Sequence, residues 1–169
     1  WIDHAPWGFA PFHYGRWALI GSNWAWIPGA YVARPAYAPA LIVWLGQPGW
    51  NASFSFGSAP AIGWFPLGPR EIYYPHFRSS LRHVRNINVT HVTDVSRIVS
   101  VTSPQGHDRH IHRGRHEAMT VVPERTVMPG APVGRSTTLQ DKRALATVPV
   151  AAEAGPLAPP AKRWQERCT

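Results

Sequence analysis

Two short segments, Trp7-Gly8-Phe9-Ala10-Pro11 and Trp24-Ala25-Trp26-Ile27-Pro28, repeat one order of residue types: aromatic, small, aromatic, small or branched, proline. Side chains two apart on an extended strand share a face, and proline has no N–H to give to a sheet ladder. The pattern predicts short strands with one aromatic face, each stopped by its proline. Eight of the nine tryptophans lie in the first 64 residues. A face that dense becomes either a rigid core or a flat contact surface, and it performs no chemistry by itself.

Charge divides the chain. Of 17 basic and 9 acidic side chains, only Asp3, Arg16 and Arg34 fall in residues 1–66. An aromatic half is therefore followed by a basic, proline-rich half. The net charge of +8 points to acidic partners: an acidic protein surface, anionic lipid, acidic glycan or nucleic acid. The single cysteine, Cys168, excludes an intrachain disulfide framework and a multi-cysteine metal knot. No run approaches the ~18–20 apolar residues of a membrane span. The chain opens at Trp1 with neither methionine nor a leader-like apolar run. That implies a removed signal peptide or a longer parent protein.

Turn residues punctuate the aromatic half. Arg16–Ile20 and Trp24–Ile27 read as strands around Gly21-Ser22-Asn23, with Pro28-Gly29 ending the second. Tyr31–Ala33, Leu41–Leu45, Ser53–Phe56 and Ile62–Pro66 read as further short strands. Gln47–Trp50 and Gly57–Pro60 read as loop and turn. On the first two strands Trp17 and Leu19 should face Trp24 and Trp26 as a buried aromatic cluster. Arg16 would point the other way, toward an acid such as Glu71. Farther on, Phe77, Leu81 and Val84 mark one face of a helix over His76–Arg85. Residues 86–101 read as an extended arm, and Ala118–Pro123 as a late strand. The expected architecture is mainly β. It comprises a small antiparallel aromatic-rich sheet or barrel-like module (1–75), a short helix and extended arm (76–101), and a long His/Arg- and Pro-rich tail (102–169). The tail cannot bury enough apolar surface to order alone.

Chemistry-bearing patterns are sparse. His107, His110, His112 and His116 lie within ten residues, a spacing that makes a metal site sterically feasible. The interleaved Arg109, Arg113 and Arg115 oppose a cation, so these histidines fit a solvated loop or an anionic contact better. No carboxylate pair, G-x-S-x-G, H-E-x-x-H or glycine-rich phosphate loop is present, and no cofactor is expected. Glu71 reads as an ion-pair partner of Arg70 or Arg16. Asn51-Ala52-Ser53 and Asn88-Val89-Thr90 match the glycosylation acceptor pattern.

The run Trp7 through Trp17, then Trp24-Ala-Trp-Ile-Pro-Gly29, Val43-Trp44, Gly63-Trp-Phe-Pro-Leu-Gly-Pro-Arg-Glu71 and Arg85-Asn-Ile-Asn-Val-Thr90, resembles a family of exported bacterial Trp/Pro/Gly-rich domains of unknown function. Some members carry a FecR-like domain upstream. The resemblance covers about residues 5–95, with a weaker echo at Thr120-Val-Val-Pro123. It implies a periplasmic or extracellular, β-rich, non-catalytic module and transfers no site residues.

Together these features lead to a structural or interaction subunit of an envelope assembly. It would dock through Trp7, Trp44, Trp50, Arg109, Arg113 and Arg115, with other protein subunits as partners and the tail draped over one of them. The alternative is a glycan- or peptidoglycan-binding module, which needs Trp1, Trp7, Trp44 and Trp50 on one flat face. Nucleic-acid binding ranks lower, because aromatic and basic residues are segregated rather than interleaved.

Overall fold

A computed structural model describes residues 10–38, 40–45, 55–56, 59–75, 77–101, 110–115, 117–123 and 150. They form a mainly β fold of two antiparallel sheets. Strands β1 (Arg16–Ile20) and β2 (Asn23–Ile27) make a hairpin. Its register sets Trp17 against Trp26 and Leu19 against Trp24, as the alternation predicts. The turn is Gly21-Ser22, with Gly21 at φ 61°.

The ring contact within this cluster is diagonal. Trp17 meets Trp24 edge-on at 6.4 Å and 83°, and the ring of His112 covers Trp24 at 5.0 Å. Trp26 sits at the rim, 37% exposed, with its Nε1 donating to the Tyr14 carbonyl at 3.0 Å. The expected burial of Trp26 is thus corrected, because the covering histidine reaches Trp24 instead. Trp26→Ala should cost roughly 1–2 kcal/mol rather than the 3–5 of a fully buried tryptophan. Urea denaturation checks this figure.

The two copies of the opening pattern part ways. Ala10 and Pro11 begin a helical turn, α1 (Ala10–His13), where proline's fixed φ is tolerated. Trp24–Ile27 of the second copy lie in β2, while Trp7, Gly8 and Phe9 of the first lie outside the described residues. Residues 31–33, expected to be extended in a ladder, are irregular.

The second sheet is built on β5 (Ala59–Pro66). Strand β3 (Ile42–Leu45) pairs with residues 63–66 of β5, β4 (Ser55–Phe56) pairs with residues 59–60, and β6 (Thr120–Pro123) pairs with residues 61–64. Val150 makes one antiparallel bridge to Leu45. Leu45, Ala61, Phe65, Met119 and Val121 pack as one core cluster, with Val43 and Val150 against it. A second cluster joins Ala38, Leu41, Leu67, Tyr73 and Ile87. The hairpin attaches to the sheet by backbone: Trp17 N–H donates to Leu67 O, and Leu67 N–H to Leu41 O, both at 3.0 Å.

Helix α2 runs Leu81–Asn88 and buries Val84, Ile87 and Asn88. It begins later than the periodicity suggests because Ser80 caps it, its Oγ accepting from His83 N–H at 3.2 Å. The extended arm expected over 86–101 is corrected too. Residues 86–88 finish the helix, and Val95–Arg97 form a single 3-10 turn capped by Asp94. Local side-chain caps outweigh the β-branched alternation here.

Candidate functional site

Arg16 is the first residue of β1 and is 1% exposed. A buried guanidinium needs its donors satisfied. Nη1 donates to Gly15 O at 2.8 Å, Nη2 to Asn88 Oδ1 at 2.8 Å, and Nε to Glu71 O at 3.2 Å. Burial lowers its pKa to about 10, while the Coulombic fields of Glu71 and Tyr73 act the other way. It therefore stays charged at neutral pH.

Asn88, the last residue of α2, satisfies four groups. Its Oδ1 accepts from Arg16 and from Tyr73 N–H at 2.7 Å. Its Nδ2 donates to Tyr73 O and to Val84 O, both at 2.8 Å. By binding both the N–H and the C=O of Tyr73, the amide takes the place that a neighbouring strand would occupy. Segment 71–75 has no ladder partner, and this side chain is its substitute. Asn88 is 0% exposed, so in the folded chain it cannot serve as the glycan acceptor that its Asn-Val-Thr pattern suggests.

The Glu71 carboxylate accepts from Gly68 N–H at 2.8 Å, Ile111 N–H at 2.7 Å and His110 Nδ1 at 3.2 Å. Burial alone would raise its pKa, but the hydrogen bonds from His110, Ile111 and Gly68 outweigh burial and hold it below the usual carboxylate range. The expected ion pair with Arg70 or Arg16 is corrected: Arg16 reaches the Glu71 carbonyl, and His110 takes the carboxylate. Because that carboxylate accepts, His110 donates from Nδ1. His112 donates from Nε2 to Trp17 O at 2.8 Å. The two histidines thus pin one turn, residues 110–114, to the hairpin on one side and to Glu71 on the other.

No sequence pattern marks His13 or His91. His13 donates to Ala38 O at 2.7 Å and stacks on Tyr37 at 4.8 Å. His91 lies against Gly29, where an added Cβ would fall 2.7 Å from its Nε2. Burial first, then the positive charge of Arg16, lowers the His91 pKa to about 4, against an opposing backbone hydrogen bond at Pro28. Between pH 6.5 and about 4 the unfolded chain takes a proton there that the folded chain refuses. Stability should therefore fall as pH drops through that window. Urea midpoints measured across it should decline for the wild type and flatten for His91→Asn. Below about pH 4.5 the protonation of Glu71 adds a second loss, since a depressed carboxylate stabilises only while ionised.

The other expected site residues are scattered. Trp44 is half-buried against Trp64 at 5.5 Å and 64°. Arg113 is half-buried and Arg115 exposed. Trp1, Trp7, Trp50, His107, Arg109, His116 and residues 102–109, 124–149 and 151–169 of the tail lie outside the described residues. The expected tail is corrected over 110–115 and 117–123, which pack into this domain through Met119 and Val121 and the pairing of β6 with β5. Among the described residues no group of three or more His, Cys, Asp or Glu is placed to hold a metal ion. No helix among them is long and apolar enough to cross a membrane.

Fold and site define a small mainly β domain knit together by a buried polar hub. Residues 1–71 match the model of a family of unknown function, DUF6600, in keeping with the resemblance to an uncharacterised domain. No curated protein and no solved structure matches the chain.

Proposed function

We propose that this chain is a non-catalytic interaction module of a bacterial envelope assembly, periplasmic or extracellular, and that it docks through the outer rim of its hairpin. One observation carries this reading. Large apolar side chains on and beside the hairpin face outward: Ile20 is 66% exposed and Tyr31 93%. Trp26 joins them at the rim. Meanwhile Arg16, Asn88 and Glu71 direct their hydrogen bonds to backbone, to one another and to His110. Aromatic residues that keep one face wet are frequent anchors in protein interfaces. The envelope location rests on the resemblance of residues 5–95 to exported domains.

A photo-crosslinking residue placed at position 31 or 20 in cells tests the idea. A discrete protein adduct from both positions, absent from a crosslinker at Ser22, is the expected result. If neither position yields an adduct in any cell fraction, the docking rim is elsewhere and the reading fails.

A further inference from the structure

Residues 77–101 form one surface unit. Val84, Ile87, Asn88 and Ile98 face inward. Arg85 ties the unit together, its Nε donating to Ile98 O at 3.0 Å and its Nη2 to Ser96 O at 3.3 Å. Arg82, Asn86 and Val89 follow one another at three- and four-residue spacing on α2 and its cap, which aligns them on one stripe. All three are exposed. Arg97 and Val99 flank Ile98 on the segment that Arg85 holds, so they continue that surface, and exposed Arg78 precedes the helix.

The unit holds four arginines and a single acid, Asp94, whose carboxylate is engaged by Ser96 N–H at 3.0 Å. Beside these cations stand bare valines: Val89 is 41% exposed, Val99 81% and Val101 36%. Exposed valine offers nothing to a sugar or a base. Stacking rings would serve there, and the aromatic of this unit, Phe77, is half-buried and turned to His83 at 6.0 Å. Arginine forks beside protruding aliphatic groups instead match a layer that has phosphates outside and hydrocarbon beneath.

We propose that the face formed by Arg78, Arg82, Arg97, Val89, Val99 and Val101 binds an anionic lipid surface. The arginines pair with headgroup phosphates, and the valines enter the boundary between headgroups and acyl chains. The inference is independent of the hairpin docking reading, because the two use different surfaces.

Co-sedimentation of the full chain with vesicles tests it. The chain should bind phosphatidylglycerol/phosphatidylcholine vesicles and leave pure phosphatidylcholine vesicles alone. Each arginine near an anionic leaflet is worth about fivefold in affinity, so the triple variant Arg78→Gln/Arg82→Gln/Arg97→Gln should lose roughly a hundredfold. Its thermal melt should not change, since all three side chains are exposed. Val99→Ser/Val101→Ser should weaken binding several-fold at unchanged salt dependence. Charge reversal in the tail (Lys142→Glu/Arg143→Glu) separates this face from general basicity. A triple variant that melts like wild type and still binds as tightly overturns the proposal. So does a loss produced by the tail variant alone, or equal binding to neutral vesicles. Binding to heparin or single-stranded DNA that survives the valine changes, with no vesicle binding, assigns the face to a soluble polyanion and also overturns it.

Discussion

Asn88→Ala should destabilise the domain by about 4 kcal/mol, a large part of the roughly 5–15 kcal/mol that holds a domain of this kind together. The change removes one small amide but strands several groups. Arg16 Nη2 loses its acceptor, and Tyr73 loses partners for both its N–H and its C=O. All of them are buried, so water cannot replace what is lost, and each orphaned group costs about 1–3 kcal/mol, more where the group is charged. Asn88→Asp separates the two halves of the effect. It keeps an acceptor for Arg16 and for Tyr73 N–H but offers no donor to Tyr73 O. It also places a negative charge at the end of a helix, where the dipole disfavours it. Chemical denaturation should rank wild type above Asn88→Asp and Asn88→Asp above Asn88→Ala. An alanine variant within about 1 kcal/mol of wild type would mean that Arg16 finds another acceptor.

Gly15→Ala should cost about 3 kcal/mol or more, although it adds a single methyl group at a sheet margin. Gly15 has φ 76°, a conformation that L-residues adopt at roughly 1 kcal/mol of strain. The larger part is steric. The new Cβ would fall 2.4 Å from Trp26 Nε1 and 2.6 Å from Ile27 O. The tryptophan can swing away, but the carbonyl is backbone and belongs to the rung opposite Arg16. Moving it opens the hairpin where the guanidinium enters the core. Gly68→Ala is the matched control. The nearest atoms to its Cβ would be side-chain ones, Ile111 Cδ1 at 2.4 Å, Ile111 Cγ1 at 2.5 Å and the Glu71 carboxyl carbon at 3.4 Å, and Ile111, 50% exposed, can turn outward. Melting temperatures should therefore fall sharply for position 15 and little for position 68. Equal losses at both would place the steric argument in error.

The elements legible in the sequence are those written locally. Arg16–Ile20 is a strand because alternation and the following Gly-Ser turn agree, and the pairing of Trp17 with Trp26 follows from that turn. The segment around Leu81–Asn88 is a helix by its spacing, though its start depended on Ser80, whose capping role periodicity does not register. What escaped was the hub. Arg16 stood out as one of three charges in the first 66 residues, and that isolation in an apolar strand was the available signal. Its main partner is an uncharged asparagine 72 positions away, which no charge-matching argument would select. Asn88 was instead visible only as part of a glycosylation pattern, the one reading that its burial forbids. The spacing of His112 groups it with its neighbours as a candidate ligand, whereas its partner is a carbonyl 95 residues earlier.

The separation between Arg16 and Asn88 has a consequence for how the chain matures on the ribosome. The stretch recognised by homology ends at residue 71. A nascent chain that has reached that residue has made the arginine but not its acceptor, and β5 but not the strand that closes its other side. Only when residue 88 has emerged can the guanidinium be enclosed, and only when residue 123 has emerged is β5 paired on both flanks. The portion that the family model matches is therefore shorter than the portion whose contacts enclose the guanidinium and pair β5 on both flanks. Chains stalled in the interval would present an aromatic, half-finished sheet to the surrounding medium, which is the state a chaperone would need to hold.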